Sequence, residues 1–258
     1  MPGPLKGHLG VILGLGLLVG CAVPATIQRQ SDLLAYLSRK DEQAPARPAV
    51  VRVRYPMKVG VAFVPGGSAR VGDVFRDQSQ KGAAISLDQE SQLTAILQRH
   101  LLDRPWVREL KVIPSSYLQP GGGFTDLERV ARLYGVDDII LVSLSQMQFT
   151  DPKWFSWTYW TVVGAYTIKG DKNDTSTFVD GAVFHVSDRI LLFRADGSSL
   201  VKGSTTWANR DEGLRRNARE GLSLAVQNLG RRLEEAEATF RAEVAEGRRK
   251  DVEFFDGK

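Results

Sequence analysis

The sequence predicts an α/β fold: a mixed sheet that starts strand, helix, strand, helix, strand, continues as an antiparallel meander and carries a long C-terminal helix packed on the sheet. Three observations predict it. Nearly continuous apolar runs at 58–65 and 138–144 suit strands buried on both faces. Stripes of helical period lie between and after them. Alternating segments at 158–168 and 177–206 are split by turn residues, as antiparallel strands are.

Taken in order, Lys58-Val59-Gly60-Val61-Ala62-Phe63-Val64-Pro65 ends in Pro65 and the Gly66-Gly67 pair, which stop a central strand. From Leu87 to Leu102, the residues Leu93, Ile96, Leu97 and Leu101 recur at three- and four-residue intervals, an apolar helix face that must lie on a sheet. Pro105 ends that helix, and Val107 to Ile113 forms the second strand, bounded by Pro114. Thr125 and Glu128 are spaced as in a capping box ahead of Leu127, Val130, Ala131 and Tyr134, and Gly135 closes this second helix. Asp138 to Leu144 is the third strand, so the order favours right-handed crossovers. Gly170-Asp171-Lys172-Asn173-Asp174 and Asp196-Gly197 read as turns of the meander. From Asp211 to Glu246 a last helix carries Leu214, Ala218, Leu222, Ala225, Leu229 and Leu233 on one side, and beyond Leu233 the stripe fades.

The N-terminal end has a different character. One lysine, Lys6, precedes an apolar run from Leu9 to Gly20, about 18 Å of helix at 1.5 Å per residue and too short for a bilayer core of about 30 Å. It reads as a signal peptide, residues 1–20. The chain has a single cysteine, Cys21, which excludes an intramolecular disulfide and a cysteine metal cluster. Leu18-Val19-Gly20-Cys21 resembles the lipobox of bacterial lipoproteins. That resemblance implies a covalent lipid on Cys21 as the membrane contact, and Ala22 at the next position implies the outer membrane, with the body facing the periplasm.

Residues 21–56 read as a lipidated N-terminus and a basic, proline-containing tether. Within it, Ser31-Asp32-Leu33-Leu34-Ala35-Tyr36-Leu37 has the pattern of a two-turn helix able to dock on the body. Residues 57–235 form the expected periplasmic α/β domain, and 236–258 a charged helical or disordered tail. The formal net charge is +4. Lys6 supplies one charge and the tether the other three, through Arg29, Arg39, Lys40, Arg47, Arg52 and Arg54 against three acids. The body is balanced, which argues against nucleic acid as a partner, since that needs a basic face on the folded domain. The tether charge fits either an anionic membrane surface or a merely solvated linker.

No motif carries catalysis. His100 and His185 follow the leader outside any metal-ligand spacing, and His185, among alternating apolar residues, reads as a solvent-facing or satisfied strand histidine. Neither Gly66-Gly67-Ser68 nor Gly121-Gly122-Gly123 completes a phosphate loop, and Asp171, Asn173 and Asp174 lack the further ligands of a calcium loop. No Gly-x-Ser-x-Gly elbow is present. Beyond the lipid on Cys21, no cofactor or metal is expected. The remaining outlier is Trp154-Phe155-Ser156-Trp157-Thr158-Tyr159-Trp160, five aromatics in seven residues. It is core under a helix, or a partner surface in which Trp154, Phe155 and Trp157 are the candidates.

Further motifs are Val59-Gly60-Val61-Ala62-Phe63-Val64-Pro65, Val112-Ile113-Pro114-Ser115, Pro120-Gly121-Gly122-Gly123-Phe124, Gln148-Phe149-Thr150-Asp151, Tyr159-Trp160-Thr161-Val162-Val163-Gly164-Ala165-Tyr166 and Val201-Lys202-Gly203-Ser204. Through these the chain resembles the rhombotarget lipoproteins, bacterial lipoproteins found alongside the rhombosortase sorting system. The resemblance implies no catalytic residues. It departs at the C-terminus, where Asp251-Val252-Glu253-Phe254-Phe255-Asp256-Gly257-Lys258 replaces a Gly-Gly sorting tail. The expected role is a non-enzymatic binding or accessory protein of envelope or secretion machinery, with a periplasmic protein as partner. The alternative is a small-ligand binder or an enzyme acting on an envelope component.

Overall fold

The computed structural model describes residues 27–38, 49–66, 85–148, 174–203 and 210–256. The fold is mixed α/β. Strands β1 (Ile27–Gln30), β2 (Val51–Tyr55), β3 (Met57–Phe63), β4 (Val107–Ile113), β5 (Asp138–Gln148), β6 (Thr175–His185), β7 (Ile190–Val201) and β8 (Val252–Asp256) alternate with helices α1 (Leu33–Leu37), α2 (Leu87–Leu101), α3 (Gly123–Tyr134) and α4 (Arg210–Ala245). The main sheet has the order β4-β3-β5-β6-β7, with β1 added to β5, and β2 and β8 form a separate parallel ribbon.

β3 is parallel to both β4 and β5, so the chain steps outward through α2 and back across β3 through α3. Two right-handed crossovers in opposite directions put their helices on opposite faces. The core is divided accordingly. Val59, Val61, Ile140, Val142, Val179 and Val183 face α2 and α4, packing on Leu97, Leu222 and Leu229. Ala62, Ile139, Leu141, Ala182 and Phe184 face α3, packing on Leu127 and Val130. This alternation explains why β3 and β5 are apolar almost without interruption.

Gly135, at φ 67°, ends α3 in the left-handed conformation, as expected. The capping box does not form. α3 starts earlier, at Gly123, with Gly122 as a cap that offers no side chain, which leaves Thr125 inside the first turn. The expected turn at Asp196-Gly197 is also corrected, because both residues lie within β7 and the hairpin turns instead at Ser187-Asp188-Arg189. Gly197 is there for closeness: a Cβ would stand 2.1 Å from the Ala225 carbonyl oxygen, so only glycine lets α4 lie this near the strand.

Parts of both expected flanks form ordered elements. β1 pairs antiparallel with the far half of β5, continuing the edge that β3 occupies on the near half. α1, capped by the Asp32 side chain, buries Tyr36 against α3. β2, still within the expected tether, pairs with β8 from the expected tail. The stripe on α4 resumes after Leu233 with Phe240, which is 2% exposed and contacts Phe193 and Phe254. A gap of seven residues between Leu233 and Phe240 is two helical turns, which returns Phe240 to the same face.

Candidate functional site

β1, β5, β6 and β7 all end together at one end of the sheet. Ile27 pairs with Gln148, Gln148 with Thr175, and Thr175 with Val201. Segments 1–26, 149–173 and 204–209 join the body at this end and lie outside the described residues. Cys21, Leu18, Val19, Gly20, Trp154, Phe155 and Trp157 therefore lie outside them as well, as do residues 158–168. What the structure gives is the platform from which these residues extend.

That platform is polar inside. Gln146, 2% exposed, donates from Nε2 to Thr177 Oγ1 and to the Ala218 carbonyl of α4, both at 2.8 Å. Gln148 donates to the Leu214 carbonyl at 2.7 Å and to Thr175 Oγ1 at 3.4 Å. Ser199 Oγ donates to the Gly221 carbonyl at 2.7 Å. A buried amide must find partners, and these two find them on the first turns of α4, so the helix is joined to the sheet here by neutral hydrogen bonds. Asn217, 5% exposed, departs from the pattern: its Nδ2 is buried with no hydrogen-bond partner among the described residues.

The opposite end gathers the charges. Asp138 opens β5 and His185 closes β6, directly across the ladder. His185 Nδ1 lies 2.8 Å from Asp138 Oδ1, and its Nε2 lies 3.1 Å from Ser187 Oγ and 3.2 Å from Asp188 Oδ2. Serine, histidine and aspartate in line resemble a hydrolytic relay, but the electrostatics differ. Burial opposes charge on this imidazole. The hydrogen bond to Asp138 and the charges of Asp138, Asp188 and Asp137 outweigh it, holding His185 protonated above its ordinary range. Burial pushes the facing Asp138 carboxyl up against the pull of His185, and Ser187 Oγ also lies within hydrogen-bond distance of Asp188 Oδ2, at 3.1 Å. The group acts as an ion lock on the hairpin. Arg54–Asp137 at 3.0 Å and Arg189–Glu128 at 2.7 Å extend it to β2 and α3.

His185 is thus the satisfied strand histidine the sequence predicts. Its partner Asp138 lies 47 residues away, and only the register of β5 against β6 brings the two together. A second buried carboxylate fixes the docked helix. Asp126 accepts from the Tyr36 hydroxyl at 3.1 Å, from the Gln119 amide at 2.7 Å and from Arg129. Burial, with the neighbouring Asp126 charge, pushes the Tyr36 phenol up. Among the described residues no group of His, Cys, Asp and Glu is placed to hold a metal ion, and no helix is long and apolar enough to cross a membrane.

No protein-family model matches the chain, and no curated protein does. Weak likenesses exist among solved structures. The PelC dodecamer from Paraburkholderia phytofirmans is 13% identical, with 80% of this chain and 98% of that chain covered and a TM-score of 0.32. Protein XCC0632 from Xanthomonas campestris is 10% identical, with 76% and 91% covered and a TM-score of 0.34. The hypothetical protein CT253 from Chlamydia trachomatis is 14% identical, with 72% and 96% covered and a TM-score of 0.29. At these identities and TM-scores the likeness transfers no function.

Proposed function

We propose that this chain is an outer-membrane-anchored periplasmic lipoprotein that works as a non-enzymatic binding or accessory protein of the envelope or of secretion and sorting machinery. One observation carries the reading: the pairing of Ile27 with Gln148. Cys21 stands six residues before Ile27, and Trp154 six residues after Gln148. At most about 3.6 Å per residue separates each from that pair, or about 20 Å. Chain length therefore keeps the lipid site and the start of the aromatic run each within about 20 Å of this pair. Trp and Tyr are enriched at binding hot spots, and such a run beside an anchor presents them to a neighbour in or near the membrane. The lipobox-like Leu18-Val19-Gly20-Cys21 and the motifs shared with rhombotarget lipoproteins support the same reading.

Two variants test it. Cys21→Ser is expected to leave a soluble or uncleaved chain, and mature-sized protein still wholly in the outer membrane would overturn the anchor. Trp154→Ala with Phe155→Ala is expected to abolish crosslinking to a periplasmic protein while the melting temperature holds. Unfolding of that variant would make the run core and move the partner surface elsewhere.

A further inference from the structure

Beside the polar seam, at the end of the sheet where β1 enters, an open cavity of about 390 Å³ lies between the end of β7 and the first turns of α4. Its size is that of a small-molecule site. Arg216, Asn217, Glu220 and Leu224 line it from α4, Leu200 from β7 and Lys202 from just beyond it. Lys202, Arg216 and Glu220 are exposed, and none of them is ion-paired among the described residues. Asn217 is the exception in exposure, its side chain buried in the wall.

The lining is chemically specific. Two cations suit a phosphate ester, and Glu220, four residues from Arg216 and one turn along the helix, suits an ammonium group. Leu200 and Leu224, 38% and 39% exposed, place apolar surface next to these charges, which a free phosphate ion would not use. Phosphate, amine and an apolar ester edge together describe an aminophospholipid headgroup. We propose that this cavity binds the headgroup of a phosphatidylethanolamine-type lipid in the membrane that holds the anchor. Arg216 and Lys202 take the phosphodiester and Glu220 the ammonium. The choice of a membrane lipid as source rests on the anchored reading above, because that reading turns this end toward a bilayer.

The test needs neither a bilayer nor the acyl anchor. The full chain carrying Cys21→Ser is titrated with monomeric dihexanoyl-phosphatidylethanolamine, and the backbone amide resonances are followed. Dihexanoyl-phosphatidylglycerol and inorganic phosphate serve as the other two arms. The expected result is a saturable shift confined to residues around Lys202 and Asn217, absent with phosphate alone. Arg216→Ala with Lys202→Ala should weaken it by about tenfold or more, and Glu220→Ala should erase the preference for ethanolamine over glycerol. Because these side chains are exposed, the remaining resonances should stay in place, which separates lost binding from lost folding. No saturable shift, an equal response to phosphate alone, or shifts centred elsewhere would overturn the proposal. A failed anchor would appear only in the Cys21→Ser fractionation, so the two readings can fail separately.

Discussion

The two ends of the central strands terminate the same sheet with opposite chemistry. At the end where β1 enters, glutamine, threonine and serine side chains bond neutral groups of α4. At the hairpin end, carboxylates enclose a histidine, and arginines tie the strands to β2 and α3. Neutral hydrogen bonds are indifferent to pH and salt and leave nearby cations available to a ligand. A buried ion lock holds firmly but depends on its protonation state. The hairpin end thus carries the raised His185 pKa, and the cavity proposed to bind a ligand lies at the other end, where the buried Asp174 also sits.

The largest expected effect comes from breaking the lock. Asp138 is 0% exposed, and its hydrogen bond through Oδ1 pushes the His185 pKa up. Asp138→Ala leaves an imidazole that must either lose its proton or stay buried without its main counter-charge. Removing one partner of a buried pair costs about 3–5 kcal/mol. Urea denaturation should show that loss. A cost under about 1 kcal/mol would mean that the orphaned Asp138 Oδ2 already cancels the benefit of the pair.

The next effect is one of pH. With its folded pKa above the ordinary value of 6.5, His185 binds its proton more tightly in the folded chain than in the unfolded one. Its stabilisation is full below the unfolded value and is lost as pH rises through the folded value. Stability followed by urea denaturation should fall across that window. His185→Gln should flatten this part of the profile, and a profile that rises with pH there would place the titrating group elsewhere.

Most of the fold is legible in local pattern. Helical stripes and apolar runs locate α2, α3, α4, β3, β4 and β5 to within a few residues, because burial on one or both faces writes a period into the chain. Local pattern fails where a distant partner decides. Asp196-Gly197 has turn chemistry, yet Gly197 is a strand residue that serves the close approach of α4. Val252 to Asp256 is too short and charged to signal a strand alone, and it exists by pairing with β2 from the other end of the chain. The candidate site is legible in composition, through Cys21 and the aromatic run. That the segments carrying both attach at one end depends on β1 pairing with β5, and a four-residue strand of mixed polarity announces no register.

A smaller effect is expected at the seam. Gln148→Leu removes the bonds to the Leu214 carbonyl and Thr175 but keeps similar volume, so about 1 kcal/mol is the expected cost. The contrast with the hairpin end sharpens if this cost is the same at pH 5 and pH 8 on a urea titration. A cost that changes with pH would put a titrating group in the seam and blur the distinction between the two ends.

The smallest expected effect separates a lock from a relay. Ser187 is exposed, and its hydroxyl stands 3.1 Å from both His185 Nε2 and Asp188 Oδ2. If the carboxylates hold the imidazole charged, Ser187→Ala changes stability by no more than about 0.5 kcal/mol, as an exposed substitution does, and the His185 titration followed by NMR stays where it was. Asp188 would still face Nε2 at 3.2 Å. If the hydroxyl were instead the principal partner of a neutral ring, its loss would raise the imidazole pKa and change the ring tautomer. That outcome would restore a serine–histidine pair as the working unit of the hairpin end and overturn the division between a charged lock at one end and a binding surface at the other.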